Sequence, residues 1–119
     1  MNKAILIGRL TKDIDLRMTQ SGKAVGTFTI AINRYNKDGG TDFINCVAFG
    51  NTAELMKKYT DKGSHVGLSG RIQTRSYQKD DRTVYVTEVI VEDVDFLEVK
   101  KEPQDEPEPV LYDDDELPF

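Results

Sequence analysis

One stretch in the second half of the chain carries side chains suited to holding a polyanion. Arg71, Gln73, Arg75 and Tyr77 alternate with Ile72, Thr74 and Ser76, and in an extended strand residues two apart share a face. One face then presents two guanidiniums, an amide and an aromatic ring. A groove for a single nucleic-acid strand asks for that mixture: cations that follow the phosphates and flat rings on which bases stack. An ordinary solvated strand face has the same composition, and residue type alone leaves both readings open. On the other parity Val66, Leu68 and Ile72 read as core.

Further aromatic residues extend the reading. Phe43, Asn45, Val47 and Phe49 share one parity, opposite Ile44, Cys46 and Ala48. Both sets are mostly apolar, so parity does not say which faces the core. By type alone Phe49 reads as core, and Phe43 is divided. Tyr35, at the rim of the Lys37-Asp38-Gly39-Gly40 turn, suits a clamp on a base, although single exposed aromatics are commonplace. Tyr85 could pack or stack.

Catalytic chemistry lacks its parts. One histidine, His65, and one cysteine, Cys46, cannot make a zinc site of the Cys/His kind. Cys46 has no partner for an internal disulfide and lies mid-strand among apolar residues, as inert packing would. His65 reads as a loop-edge residue. No glycine-rich phosphate loop has the required spacing. The Asp113–Asp115 cluster could attract a divalent cation but would hold no geometry for chemistry. The expectation is a protein that is not an enzyme and uses no cofactor or metal.

These residues need elements to position them. Lys3 to Leu10 is a β-rich apolar run. Val25 to Arg34 alternates, with Phe28, Ile30 and Ile32 on one face and Thr27, Thr29 and Ala31 on the other. Gln20-Ser21-Gly22-Lys23 is the turn between these two strands. Asp42 to Gly50 is a third strand. A short helix is expected from about Thr52, with Asn51 as N-cap and Glu54 completing a capping box. Lys57 and Lys58 suit the negative end of the helix dipole, and Gly63 suits the stop. His65 to Tyr77 is a fourth strand, Lys79-Asp80-Asp81-Arg82 a hairpin turn and Thr83 to Glu92 a fifth strand. Three strands, one helix and two strands make an all-β fold with one short helix, the layout of a five-stranded OB-fold barrel.

The charge is segregated. The last 18 residues, from Glu102, hold eight acidic residues and no basic one, leaving 13 acidic and all 16 basic residues in 1–101. A body near +3 therefore carries a tail near −8. Pro103, Pro107 and Pro109 are spaced among the acids with almost nothing to bury, so this segment is expected to be disordered. The expected division is an OB-fold domain over 1–100, a short acidic linker over 101–112 and an acidic tip over 113–119. In the tip Asp113, Asp114, Asp115 and Glu116 precede Leu117, Pro118 and Phe119, and a terminal aromatic gains nothing from water. No apolar window approaches the ~18 residues of a membrane span. The apolar run closed by Arg9 is too short for a signal peptide, so a cytoplasmic location is expected.

The sequence closely resembles the bacterial and bacteriophage single-stranded DNA-binding proteins. The resemblance is carried by Asn2 to Leu10, Ser21 to Val25, Asp42 to Val47, Phe49-Gly50, Lys62 to Ser64, Gly70 to Tyr77, Tyr85 to Val89 and the tip Asp113 to Phe119. It implies a homotetramer around which single-stranded DNA wraps without sequence preference. It implies stacking at Phe43, Phe49 and Tyr77, with Tyr35 near a further stacking position, and so moves Phe49 from core to interface. Basic positions along the path match Lys3, Arg9, Lys62, Arg71 and Arg75. The tip, ending in Leu117-Pro118-Phe119, would dock onto replication, recombination and repair proteins. Two departures stand out. The chain has no Trp, but Phe and Tyr keep a π-face for stacking at ~1–3 kcal/mol per base. The family's long linker shrinks to residues 101–112, a coil with a reach of roughly 20 Å.

Overall fold

The computed structural model describes residues 1–36 and 38–97. Lys37 and the expected linker and tip lie outside the described residues.

Among the described residues seven elements follow one another: β1 (Ala4–Leu10), β2 (Asp15–Met18), β3 (Ala24–Asn33), β4 (Thr41–Phe49), α1 (Gly50–Tyr59), β5 (His65–Lys79) and β6 (Arg82–Phe96). Five of the strands close into a ring in the order β1, β5, β6, β4, β3, and back to β1 through Arg9 opposite Ala31 and Leu10 opposite Ile30. The β4–β6 pairing is parallel and short, Cys46 opposite Val89 and Val47 opposite Ile90. The other pairings are antiparallel. This is the OB-fold arrangement, with the helix between β4 and β5. No helix among the described residues is long and apolar enough to cross a membrane.

The core follows from alternation. Phe28 and Ile30 point inward from β3, Cys46 and Ala48 from β4, Val66 and Leu68 from β5, and Val89 and Val91 from β6. Ile14, Ala53 and Met56 close one end of the ring. There Gly26 of β3 is covered so closely that a Cβ on it would meet the Ile14 side chain at 2.5 Å and Ala53 Cβ of the helix at 3.3 Å.

The sequence reading needs correction at several points. A short extra strand, β2, pairs with β3 alone, from Asp15 opposite Thr27 to Met18 opposite Ala24. The Gln20–Lys23 turn therefore joins β2 to β3, not the first long strand to the second. Asp15 and Arg17 alternate with Leu16 and Met18, but four residues are too short a run for that period to stand out in the sequence. The helix begins at Gly50 with Phe49 as N-cap and no side-chain cap. Asn51 lies inside the first turn, because Gly50 at φ +60° turns the corner directly out of β4. The helix ends at an extended Thr60, whose N–H still donates to the Met56 carbonyl at 3.0 Å. Gly63 lies beyond, in the turn that returns to β5, where its N–H donates to the Leu10 carbonyl at 2.8 Å.

Ile72 is the largest correction: it is 49% exposed, not core. Ser69 pairs with Asp93 and Gly70 with Val91, so Glu92 of β6 has no opposite residue. This β-bulge bends the strands. A Cβ on Gly70 would fall 2.0 Å from the Ile90 carbonyl oxygen, so the approach at the bend admits only glycine. Beyond it β5 runs out as a hairpin arm with β6, and every residue from Arg71 to Lys79 is exposed. The arm closes through Asp80 (φ +49°) and Asp81 (φ +66°), both left-handed, as a two-residue I′ turn requires.

Candidate nucleic-acid interface

The arm presents the expected face. Arg71, Gln73, Arg75 and Tyr77 alternate along β5, with Glu88 opposite Gln73, Val86 opposite Arg75 and Val84 opposite Tyr77. Arg75 Nε donates to Glu88 Oε1 at 2.9 Å, and the guanidinium carbon lies 6.0 Å from the centre of the Tyr77 ring. Glu88 is almost wholly buried and Arg75 about half exposed. A buried carboxylate is tolerated only with such a partner. The same carboxylate sits near Cys46, whose thiol is pushed up to about 12, by burial first and Glu88 second. Cys46 is inert packing, because a thiol this basic forms no thiolate at neutral pH.

The foot of this face is a cleft of about 420 Å³, floored by Thr27, Thr29, Asn45 and Val47 and walled by Arg75 and Glu88. Thr29 donates its hydroxyl hydrogen to Asn45 Oδ1 at 3.0 Å, which fixes the floor. A second cleft of about 320 Å³, mostly apolar, is lined by Phe43, Ile72, Ala4, Leu6 and Thr87. Asn45 and Glu88 line both. The structure thus places Arg75 and Phe43 at two neighbouring clefts. Strand parity suggests no such division.

The aromatic residues are available. Phe43 is 64% exposed, Phe49 38% and Tyr77 43%. Phe49 ends β4 with Lys23 Nζ 5.1 Å from its ring centre, a cation that sequence reasoning missed. Its signal was faint, a lysine in a turn remote in sequence from Phe49. Tyr35 is fully exposed. The base of its hairpin is held by Arg34, which donates to Asp42 from Nη2 at 2.7 Å and Nε at 3.1 Å. That bond holds the Asp42 carboxyl below, and the Arg34 guanidinium above, their ordinary values. Tyr85, on the opposite face of the arm from Tyr77, is 79% exposed and does not pack.

The cations divide into two groups. Lys3 and Arg71 meet at the root of the arm, where both contact Glu92, Lys3 Nζ at 3.5 Å and Arg71 Nη1 at 3.4 Å. Asn2 brings them together: its Nδ2 donates to the Ile72 carbonyl at 2.7 Å and its Oδ1 accepts from the Ile72 N–H at 2.9 Å. Arg9 and Lys62 lie at the far end of β1. Arg9 Nη1 donates to the Gly63 carbonyl at 3.0 Å, and the Lys62 backbone N–H donates to Asp13 Oδ1 at 2.7 Å. Glu88, Glu92 and Asn2 are the residues sequence reasoning passed over. A lone acid between Thr87 and Val89 at the head of an apolar run was the available signal for Glu88. Nothing in the sequence marked Glu92 as a bulge.

Comparison with known proteins decides the family. The Single-strand binding protein family matches residues 1–97. The chain belongs to that family. Relatives include Single-stranded DNA-binding protein 2 of Listeria monocytogenes, 50% identical over 105 residues, which cover 84% of this chain and 66% of that protein. Single-stranded DNA-binding protein of Bacillus cereus is 54% identical over 103 residues, 82% of this chain and 61% of that protein. Single-stranded DNA-binding protein 2 of Staphylococcus aureus is 52% identical over 105 residues, 84% of this chain and 76% of that protein. The match spans just under two thirds of the first two relatives. Within the family match fall the ring, the arm and every candidate stacking and phosphate residue.

Proposed function

We propose that this protein binds and protects single-stranded DNA without sequence preference, and that it performs no catalysis. The observation that carries the reading is the exposed face of the arm, Arg71, Arg75 and Tyr77, above the cleft on β3 and β4, in a member of this family. Phosphates run past Lys3, Arg71 and Arg75 at the arm and past Arg9 and Lys62 at the far end of β1. Bases stack on Tyr77, Phe43, Phe49 and Tyr35. Duplex DNA hides its bases within the stack, so these rings favour unpaired strands.

Four copies of the chain assemble in this reading. Its support is the outer face of β1, where Ile5 is 75% and Ile7 58% exposed beside Leu97, an apolar patch with reason to be covered. Residues 113–119 recruit replication, recombination and repair proteins. Their acids steer the tip towards a basic patch while Phe119 enters a pocket. Support for this part is the charge segregation of the sequence alone.

A fluorescence-anisotropy titration of labelled poly-dT and of a matched duplex, at two salt concentrations, tests the central claim. Tight binding to the single strand, weakening with salt by a slope of about −0.7 per phosphate, is the expected result. Equal or absent binding to both removes the arm's assigned role. An RNA oligomer of equal length that outcompetes the DNA reassigns the substrate.

A further inference from the structure

Glu92 stands in an unusual place. It is the extra residue of the β6 bulge, unmatched by any residue of β5. A bulge re-aims the side chain it extrudes, and here the carboxylate reaches both Lys3 and Arg71. Both cations stand on backbone that is set independently of Glu92. Arg71 is set by its strand, opposite Ile90. Lys3 follows Asn2, whose amide is bonded twice to the backbone of Ile72. Two positive groups, about half exposed, each on a different oxygen of one carboxylate, form a site whose charge a phosphate would satisfy.

We propose that Glu92 is a built-in competitor for that site, an internal carboxylate that a DNA phosphate must displace from Lys3 and Arg71. This rests on the reading of the arm as a single-strand interface. The contacts suit a displaceable ion. At 3.4–3.5 Å they are longer than a strong charge-assisted bond, and all three side chains are 43–53% exposed. Glu88 differs in each respect, being buried and bonded to Arg75 at 2.9 Å. Glu92 lowers the net charge of the Lys3–Arg71 site from +2 to +1. The protein therefore holds single strands less tightly, and releases them faster, than the same fold with a neutral residue at 92. Glu92 sets affinity without touching a base.

The experiment measures anisotropy of labelled poly-dT against salt for the wild type, Glu92→Gln, Glu54→Gln, Arg71→Ala and Arg71→Ala/Glu92→Gln. Glutamine keeps the shape and removes the charge. Glu54, exposed on the helix, controls for net charge. Glu92→Gln is expected to tighten binding roughly three- to tenfold at low salt. The salt slope should change by much less than the ~0.7 of one phosphate contact, because the same phosphate is neutralised in the wild type once Glu92 is displaced. Glu54→Gln should change the affinity little. In the Arg71→Ala background most of the Glu92→Gln gain should vanish, since one of its two cations is gone. Unchanged or weaker binding by Glu92→Gln, or a gain that survives intact in Arg71→Ala, overturns the proposal. Failure of the wild type to bind poly-dT overturns instead the reading on which it rests.

Discussion

Arg71 and Arg75 stand on one face of one strand and each meets a glutamate of β6, yet their replacement has different consequences. Arg71→Ala removes an exposed contact with Glu92 and should cost under ~1 kcal/mol of stability. Arg75→Ala leaves the buried Glu88 carboxylate without its partner, at about 2–3 kcal/mol. Thermal unfolding checks this: a clear fall in melting temperature is expected for Arg75→Ala, little for Arg71→Ala, and recovery when Glu88→Gln is added to Arg75→Ala. Arg71 is therefore the cleaner probe of phosphate contact, and its alanine variant should flatten the salt slope. Tyr77→Ala should weaken binding by ~1–3 kcal/mol at nearly constant slope, because stacking releases no counterions. A wild-type affinity for Tyr77→Ala refutes the stacking role. Asp42 adds a pH signature. Its folded carboxyl is held below the ordinary value by the hydrogen bond from Arg34. Its contribution is therefore complete above the unfolded carboxylate pKa, near 3.9, and fades as pH falls through the lower folded value. A carboxyl NMR titration should place the Asp42 midpoint below that of a free aspartate, and Arg34→Ala should return it.

The arm is the element on which the proposed interface stands, and two local features build it. At its root, Gly70 permits a backbone approach that no side chain survives. Gly70→Ala should cost ~3 kcal/mol or more, or prevent folding, as read by soluble yield and thermal unfolding. At its tip, Asp80 and Asp81 occupy left-handed backbone that costs an ordinary residue about 1–2 kcal/mol. Asp81→Gly should relieve part of this, offset by the added freedom of the unfolded chain. A gain of roughly 0.5–1 kcal/mol, a few degrees in melting temperature, is expected. A fall in melting temperature would mean that Asp81 makes a compensating contact.

At the scale of the whole molecule the surfaces divide their labour. One side of the ring carries the arm and its clefts, and the outer face of β1 carries Ile5 and Ile7. If that face joins copies of the chain, Ile5→Asp/Ile7→Asp should shift the sedimentation coefficient to a smaller species. An unchanged coefficient places the assembly surface elsewhere. A monomer that still binds poly-dT, with a shorter occluded length, would show that each ring holds DNA by itself and that assembly only extends the path.

Much of this protein was legible in its sequence. Period-two alternation in Thr27–Ile32 gave a strand and its faces, because a strand between core and solvent must alternate, while Asp42–Phe49 gave a strand without its faces. Turn residues at 20–23 and 79–82 marked the reversals. That Arg71, Arg75 and Tyr77 share one face was legible because parity is a local property of one strand. Tertiary structure decided the rest. Whether Phe43 and Phe49 faced inward depended on which side of β4 the helix and β6 would cover. Ile72 obeyed the local period and is nevertheless exposed, since a bulge and a close approach at Gly70 carry the hairpin off the core. The meeting of Lys3, Arg71 and Glu92 joins the first residues of the chain to the last strand of the ring. No local pattern encodes that meeting, because it exists only once β1 and β6 both lie along β5.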